Sequence, residues 1–496
     1  MFSSYQEAIG RFAGLSVLVI GDILLDSYLK GTGTRLSPEA PVPVIRIDSR
    51  TDVAGGAGNI AVNLRALGAR VSCLSVVGAD EDGTRAVRLL EEQRVDCGGV
   101  WRERNRKTMV KSRILSQGQI LSRFDHGSEE PISPESESVL IRMLRESYDR
   151  SDMILIGDYY RGVATEGLIA ALADLRRDAP RFLAVDSKDL PAFRIFPPDL
   201  VKPNYAEACR MLNMPARATG RVDQLLGQGR RLYELTGAGL IALTLDAEGS
   251  VLYEHGEYAY RSYAYPVSSP KVVGAGDTFI SALALALATG TDLPVATEAA
   301  TAAAAIAVRK DSTAACTGAE LEGFFARQQK VIGHPMELQK RCEIYRAQGK
   351  KIVFTNGCFD ILHSGHISLL RRARELGDIL VVGVNSDDSI ARLKGPGRPI
   401  NTLSDRVEVL CGLSTVDHVI SFGSDGSDQP LALIRAAQPD IYAKGGEYNR
   451  ETLPETQVIE EAGAKIVFLP LVPEQSTTLI LKRIHMGQAG GVRSHA

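Results

Sequence analysis

A chain of 496 residues with 44% hydrophobic and 24% charged side chains is longer than one hydrophobic core usually organises. Its composition excludes disordered and fibrous classes and favours two or more globular domains. The formal charge of -3, from 57 basic and 60 acidic side chains, excludes a global attraction to nucleic acid, so an anionic ligand has to be captured locally. Seven cysteines, odd in number, widely spread and without a CxxC pair, predict reduced cytoplasmic thiols. Residues 1–10 show no basic stretch running into an apolar one, and the most apolar segment, 279–288, is too short for a bilayer, so neither a secretory signal nor a membrane span is expected.

The first apolar run, LSVLVIG at Leu15, ends on Gly21-Asp22, with Asp26 close behind and Arg35 opening RLSPEAPVPV. GGAGNIAVNLRALG then joins the Gly55-Gly56 turn to a helix with Asn59 in its first turn. Asp and Asn at strand ends and beside glycine turns suit paired contacts to sugar hydroxyls, although each also has a reading as turn chemistry. After SCLSVVG at Ser72, residues 107–125 (KTMVKSRILSQGQILSRFD) alternate polar and apolar about SQGQ. That pattern predicts a hairpin, a flap beside the main sheet that carries Lys111 and Arg113. MILIGDY, FLAVDS, LVKPN and LIALTLD follow between helix-patterned segments, and residues 251–267 look antiparallel. Continuous apolar strands alternating with helices predict an α/β domain whose sheet is covered on both faces, with ligands at strand C-terminal ends.

Two later motifs carry chemistry. KPNYAE supplies Asn204 and Glu207 at a strand end, where they could organise Mg²⁺ through water. VVGAGDTFISALALALA leads Gly274, Ala275 and Gly276 into an Ala-rich helix with Asp277 in its first turn. Small residues at a helix start expose amides to a phosphoryl group, and a carboxylate there can take a hydroxyl proton, while the same Asp could simply cap the helix.

Residues 325–350 are polar and rich in Lys and Arg, and a fresh strand begins at Lys351. The expected domains are therefore 1–328 and 350–486, with a linker at 329–349 and a disordered tail at 487–496. In the second domain TNGCFDILHSGHISLLRRARELG runs from a strand through Gly357 into a helix that starts at His363 and His366. Imidazoles three apart share a helix face and can donate to phosphate oxygens. A metal set of Cys358, His363 and His366 lacks a fourth donor. Lys394 in VNSDDSIARLKG could reach an α-phosphate, and Ser476 and Thr477 open a last helix as N-cap or as phosphate contacts.

The early GG-N segment, the N-x-x-E motif and the late GAGD resemble the ribokinase-like carbohydrate kinase family over roughly residues 10–320. That resemblance implies a three-layer α/β domain with a small β flap. It casts Asp277 as catalytic base and Gly274, Ala275 and Gly276 as anion hole. Asn204, Tyr205, Ala206 and Glu207 would serve ATP and Mg²⁺, and Thr244, Asp246 and Gly249 would line the nucleotide pocket. Lys271 departs from the family, many of whose members carry an acidic residue three positions before the first Gly of GAGD. No GxxxxGK[ST] is present, so a P-loop is excluded.

Residues 350–485 resemble the cytidylyltransferase-like nucleotidyltransferases, which implies a Rossmann-like domain with Thr355, Asn356, Gly357, Phe359, His363, His366, Lys394, Ser476 and Thr477 on the nucleotide. The combination, with RLSPEAPVPV, AKGGEY and STT, is similar to the bifunctional heptose kinase–adenylyltransferases. That likeness implies phosphorylation of heptose 7-phosphate at C1 and adenylylation of heptose 1-phosphate, with ATP and Mg²⁺, in a homodimer joined through the flap. Another sugar or polyol phosphate, or a non-catalytic relative, would fit the same motifs. A sugar that already bears a phosphate needs a cationic pocket at its far end, for which Lys111, Arg113 and Arg35 are candidates.

Overall fold

The computed structural model describes residues 2–117, 119–265, 274–310, 315–446 and 449–470. The chain divides into two compact units, Met1–Gly323 and Phe324–Ala496. Among the described residues no helix is long and apolar enough to cross a membrane.

The strands of the first unit are β1 Ser16–Gly21, β2 Ile23–Leu36, β3 Pro43–Gly56, β4 Arg70–Gly78, β5 Asp96–Glu103, β6 Val110–Ser116, β7 Gln119–His126, β8 Met153–Asp158, β9 Phe182–Ser187, β10 Leu200–Val201, β11 Leu240–Thr244, β12 Ser250–Glu254 and β13 Glu257–Ser262. Nine of them form one sheet in the order β13-β12-β11-β10-β9-β8-β1-β4-β5, parallel from β5 to β11 and antiparallel at β12 and β13. Leu18, Ile156, Val185 and Ile241 pack into the core on one face. Ile60 and Leu283 lie fully buried in helices Ala57–Ala66 and Ala275–Ala288. From β1 the chain goes outward to β4 and β5, and later returns to β8 on the other side. The crevice where strand order reverses, at the C-terminal ends of β1 and β8, is where such sheets bind ligands.

The flap is larger than the hairpin at 107–125. A second sheet runs β3-β2-β6-β7, and its β2–β3 pair extends through fourteen residues on each strand. The long hairpin is hard to read because Gly31 interrupts β2, where a Cβ would meet Ile45 and the Arg46 backbone, and the pairing shifts register there. Leu36, Ile47, Ile120 and Phe124 are exposed on this sheet.

The second unit has β14 Val331–Ile332, β15 Ile352–Gly357, β16 Ile379–Asn385, β17 His418–Phe422, β18 Ile441–Gly445 and β19 Lys465–Leu469, parallel in the order β14-β17-β16-β15-β18-β19. Apolar clusters around Phe354 and Tyr442 and around Val353 and Val382 make up its core. Its order reverses at β15, whose C-terminal end leads into the HSGH segment. The stretch 329–349 is not a linker: β14 pairs with β17, and helix Pro335–Ala347 buries Leu338 and Cys342 completely. Those two apolar residues stand four apart among charged neighbours, enough for one helical stripe. The tail 487–496 lies outside the described residues.

Candidate active sites

In the first unit a cavity of about 790 Å³ opens beside the ends of β8 to β11, and Tyr159, Asp186, Lys188, Lys202, Glu207 and Asp277 are on its wall. Gly274 caps helix Ala275–Ala288 at φ 91, a left-handed backbone that glycine adopts without steric cost. Ala275 and Gly276 then line the cavity in the first turn, where backbone amides have no intrahelical acceptor. At Gly276 a Cβ would stand 3.2 Å from Lys202 Nζ.

Asp277 follows with both oxygens engaged. Tyr159 donates its hydroxyl to Oδ1 at 2.6 Å, and Asn59 donates Nδ2 to Oδ2 at 2.5 Å. Asn59 is fixed by Asn63 Nδ2, 3.2 Å from its Oδ1, and Thr278 donates to Asn63 Oδ1 at 2.7 Å. Removal from water raises the Asp277 pKa above the usual carboxylate value, against the hydrogen bonds from Tyr159 and Asn59 and the charge of Lys202. Lys202 stands 3.2 Å from Asp186. Burial opposes the ammonium of Lys202, but Asp186, Glu207 and Asp277 outweigh it and hold the pKa above the ordinary lysine value. A carboxylate biased toward accepting a proton, beside free helix-start amides and a buried ammonium, can deprotonate a hydroxyl while an anion is held next to it.

Asn204, Glu207, Thr244, Asp246 and Gly249 all line the same cavity. An isolated parallel bridge between Asn204 and Thr244 continues the β10–β11 pairing and joins KPNYAE to TLDAEG. Asn204 and Glu207 form a capping box, each side chain accepting from the other's backbone amide at 2.9 Å. Only one carboxylate oxygen of Glu207 is used in this way. Among the described residues no group of three or more His, Cys, Asp or Glu could hold a metal directly. The remaining oxygens of Glu207 and Asp186 are hard donors of the kind that meet Mg²⁺ through its waters.

Several expected contacts lie elsewhere. Asp22 accepts the amides of Tyr159 (2.8 Å), Arg161 (3.0 Å) and Val163 (3.1 Å), so it shapes the loop after β8, and it is buried off the wall of the large cavity. Asp26 and Arg113 form a buried ion pair at 2.6 Å, which commits that cation. A Cβ on Gly55 would collide with Asp26, and Gly56 caps helix Ala57–Ala66 at φ 61, so the two glycines place Asn59. Arg35 is exposed near the far end of β2, nine positions or roughly 30 Å of extended strand beyond Asp26. Tyr205 is core, its hydroxyl 2.7 Å from Gln224 Oε1, and Ala206 is exposed off the cavity. Asp246 pairs with Arg221 at 2.6 Å. Lys271 lies outside the described residues. Sequence reasoning missed Tyr159, Asp186 and Lys188, although all three sit at the ends of the apolar runs MILIGDY and FLAVDS.

In the second unit His363 caps helix Ser364–Arg374, accepting the Gly365 amide at 3.2 Å. Its ring stacks on His366 with centroids 3.9 Å apart, and Phe359 tilts against His366 at 5.3 Å. Burial, then the neighbouring His363, pushes the His366 pKa down to about 4, and burial also lowers that of His363. Both rings are therefore neutral donors near neutral pH rather than cations. Asn356 Oδ1 accepts from Tyr442 (2.6 Å) and Lys444 (2.9 Å). Gly357 turns beside the Phe359 ring, and Thr355 is buried in β15. Exposed Lys394 ends helix Asp387–Lys394 and acts electrostatically on the half-buried Cys358. Fully buried Arg406 ties the site loops together by donating to the carbonyls of Cys358 (2.6 Å), Asn385 (2.8 Å) and Asn401 (3.2 Å). Lys444 lies in AKGGEY, quoted for the likeness but given no role, and Arg406 went unnoticed because it belongs to no short motif. Ser476 and Thr477 lie outside the described residues.

Comparison with known proteins agrees with this division. Residues 15–319 match the pfkB family carbohydrate kinase model and residues 354–483 the cytidylyltransferase-like model. The first unit also shares its fold with phosphofructokinase-2 from Escherichia coli, solved in complex with potassium, at TM-score 0.53 and 20% identity over 63% of this chain and 98% of that one. Fold and site thus define a carbohydrate kinase joined to a nucleotidyltransferase, an enzyme that uses ATP. Beyond that class, the chain belongs to the bifunctional HldE family. It is 36% identical to the Desulfatibacillum aliphaticivorans member over 97% of this chain and 98% of that protein, and 37% identical to the Mesorhizobium japonicum member over 97% of each.

Proposed function

We propose that the first unit transfers the γ-phosphate of ATP to the C1 hydroxyl of D-glycero-D-manno-heptose 7-phosphate, giving the 1,7-bisphosphate. After a separate phosphatase removes the 7-phosphate, the second unit would join heptose 1-phosphate to ATP, giving ADP-heptose and pyrophosphate. The observation that carries the kinase half is Asp277, a carboxylate oriented by Tyr159 and Asn59 in the first turn of a helix that opens on the cavity. In this reading Asp277 takes the C1 proton, the amides of Ala275 and Gly276 hold phosphoryl oxygens, and Lys202 balances the charge gathering there. Thr244, Asp246, Gly249 and Asn204 line the path of the nucleotide. Glu207 would meet Mg²⁺ through water; the ion, when bound, neutralises phosphate charge.

For adenylyl transfer the nucleophile is already an anion, so the second unit needs positioning and charge stabilisation rather than a base. His363 and His366 would donate neutral N–H groups to phosphate oxygens, and Lys394 would supply positive charge. Reduced cysteines, none in a disulfide among the described residues, support a cytoplasmic setting. The exposed apolar residues of the flap support a homodimer through that sheet. The test is incubation with heptose 7-phosphate, ATP and Mg²⁺, followed by phosphorus NMR. A new anomeric phosphate signal is expected, and ADP-heptose after phosphatase and fresh ATP. Turnover of a different sugar phosphate with none of the heptose would overturn the substrate.

A further inference from the structure

Around Tyr159, on the wall of the first unit's cavity, several cations from different elements come together. Lys111, on β6 of the flap, is half-buried, with Nζ 5.9 Å from the centre of the Tyr159 ring. Its nearest carboxylate neighbour, Asp26, is committed to Arg113 at 2.6 Å, and among the described residues no carboxylate lies within ion-pair distance of Lys111. Lys188, just past β9, lines the cavity from the opposite element and likewise has no ion-pair partner among the described residues. Arg161 pairs with Glu129 through one guanidinium nitrogen, but its buried Nε has no acceptor. Burial lowers the Lys111 pKa, the charge of Asp26 opposes it, and the charges of Arg123, Lys188 and Arg161 lower it further. These cations therefore share one locality. Arg123 is itself tied to Asp125 on the flap.

A half-buried lysine among cations, whose neighbouring carboxylate Asp26 is already paired with Arg113, is unfavourable in the empty protein and becomes favourable when an anion arrives. The place of this gap relative to the chemistry is set by Tyr159. Its hydroxyl touches Asp277, and Lys111 lies over the ring of the same side chain. We propose that Lys111 and Lys188, aided by the Arg161 Nε, form the clamp that receives the terminal phosphate of the sugar, across the Tyr159 ring from the reacting hydroxyl. This assignment rests on the phosphosugar kinase reading above and replaces Arg113 and Arg35 as the phosphate-binding cations.

The test compares heptose 7-phosphate with unphosphorylated heptose for the wild type, Lys111→Ala, Lys188→Ala and Lys111→Arg. A charge-assisted contact to phosphate is worth roughly 10- to 100-fold. Each alanine variant should raise KM for the 7-phosphate by that factor, leave KM for ATP and the rate with unphosphorylated heptose nearly unchanged, and so collapse the preference for the phosphorylated sugar. Lys111→Arg should recover most of it. Lys188 is exposed, so its variant tests the clamp without threatening the fold. If the wild type prefers the phosphorylated sugar and both alanine variants keep that preference, the clamp is wrong. If the wild type itself shows no such preference, the phosphosugar reading fails and the clamp with it.

Discussion

Replacing Asp277 by Asn removes a proton acceptor while keeping the side chain's shape. Tyr159 and Asn59 both donate to the carboxylate, at 2.6 and 2.5 Å. The amide that takes its place retains one acceptor oxygen for one of them. Its nitrogen can face Tyr159, whose hydroxyl oxygen is able to accept in turn. The fold should tolerate the change. Its surroundings raise the Asp277 pKa, so the folded state holds that proton more tightly than the unfolded chain does. The charged form therefore costs stability once pH exceeds the folded pKa, and a neutral amide removes that cost. The melting temperature at neutral pH should not fall. Catalysis should fall on the order of 10²- to 10⁴-fold in kinase kcat, the usual contribution of a general base, or about 3 to 5 kcal/mol of barrier. ADP release with heptose 7-phosphate measures this, and pyrophosphate release in the adenylyl transfer assay, expected to be unchanged, is the internal control. The acid limb of the wild-type kinase profile should lie above the ordinary Asp range and disappear in the variant. A variant within about threefold of the wild-type kcat would refute the base assignment.

Three further outcomes follow from the two sites. Gly276→Ala puts a methyl 3.2 Å from Lys202 Nζ, the far end of a flexible side chain, so kinase activity should drop about tenfold or more while thermal stability changes little; unaltered ATP kinetics would count against the helix-start cradle. His366, with its pKa near 4, should leave the adenylyl transfer rate free of any inflection around pH 6.5, and a break there would show that the imidazole works as a cation. Arg406→Leu strips hydrogen bonds from three carbonyls, which should cost the second unit about 3 kcal/mol, read by urea unfolding, with kinase turnover retained.

How far the sequence revealed these sites depended on whether a residue acts beside its chain neighbours or through distant ones. Asp277 and the His363–His366 pair sit in short segments where a turn and a helix start dictate the local geometry, and the structure has them at helix starts. Asp22 looked like a sugar ligand because it follows a strand. Its true partners are amides of residues 159, 161 and 163, and no local rule reveals a contact that spans so much chain. Arg113 and Lys111 stand two apart on β6, and Asp26 lies in register with Lys111 yet gives its carboxylate to Arg113, a choice that no sequence pattern reveals. The helix Pro335–Ala347 was read as linker because its apolar stripe is sparse, and only its packing on the second sheet shows what Leu338 and Cys342 bury.

Tyr159 links these observations in another way. Its backbone is pinned by Asp22, its hydroxyl meets Asp277 and its ring lies under Lys111, so with the clamp proposed above a single phenol would act as a ruler between the reacting end of the sugar and its charged tail. Substrate length would then be graded by one side chain. Trimming that spacer to Leu also removes the hydroxyl that orients Asp277, so kcat should fall together with any shift in the sugar length accepted.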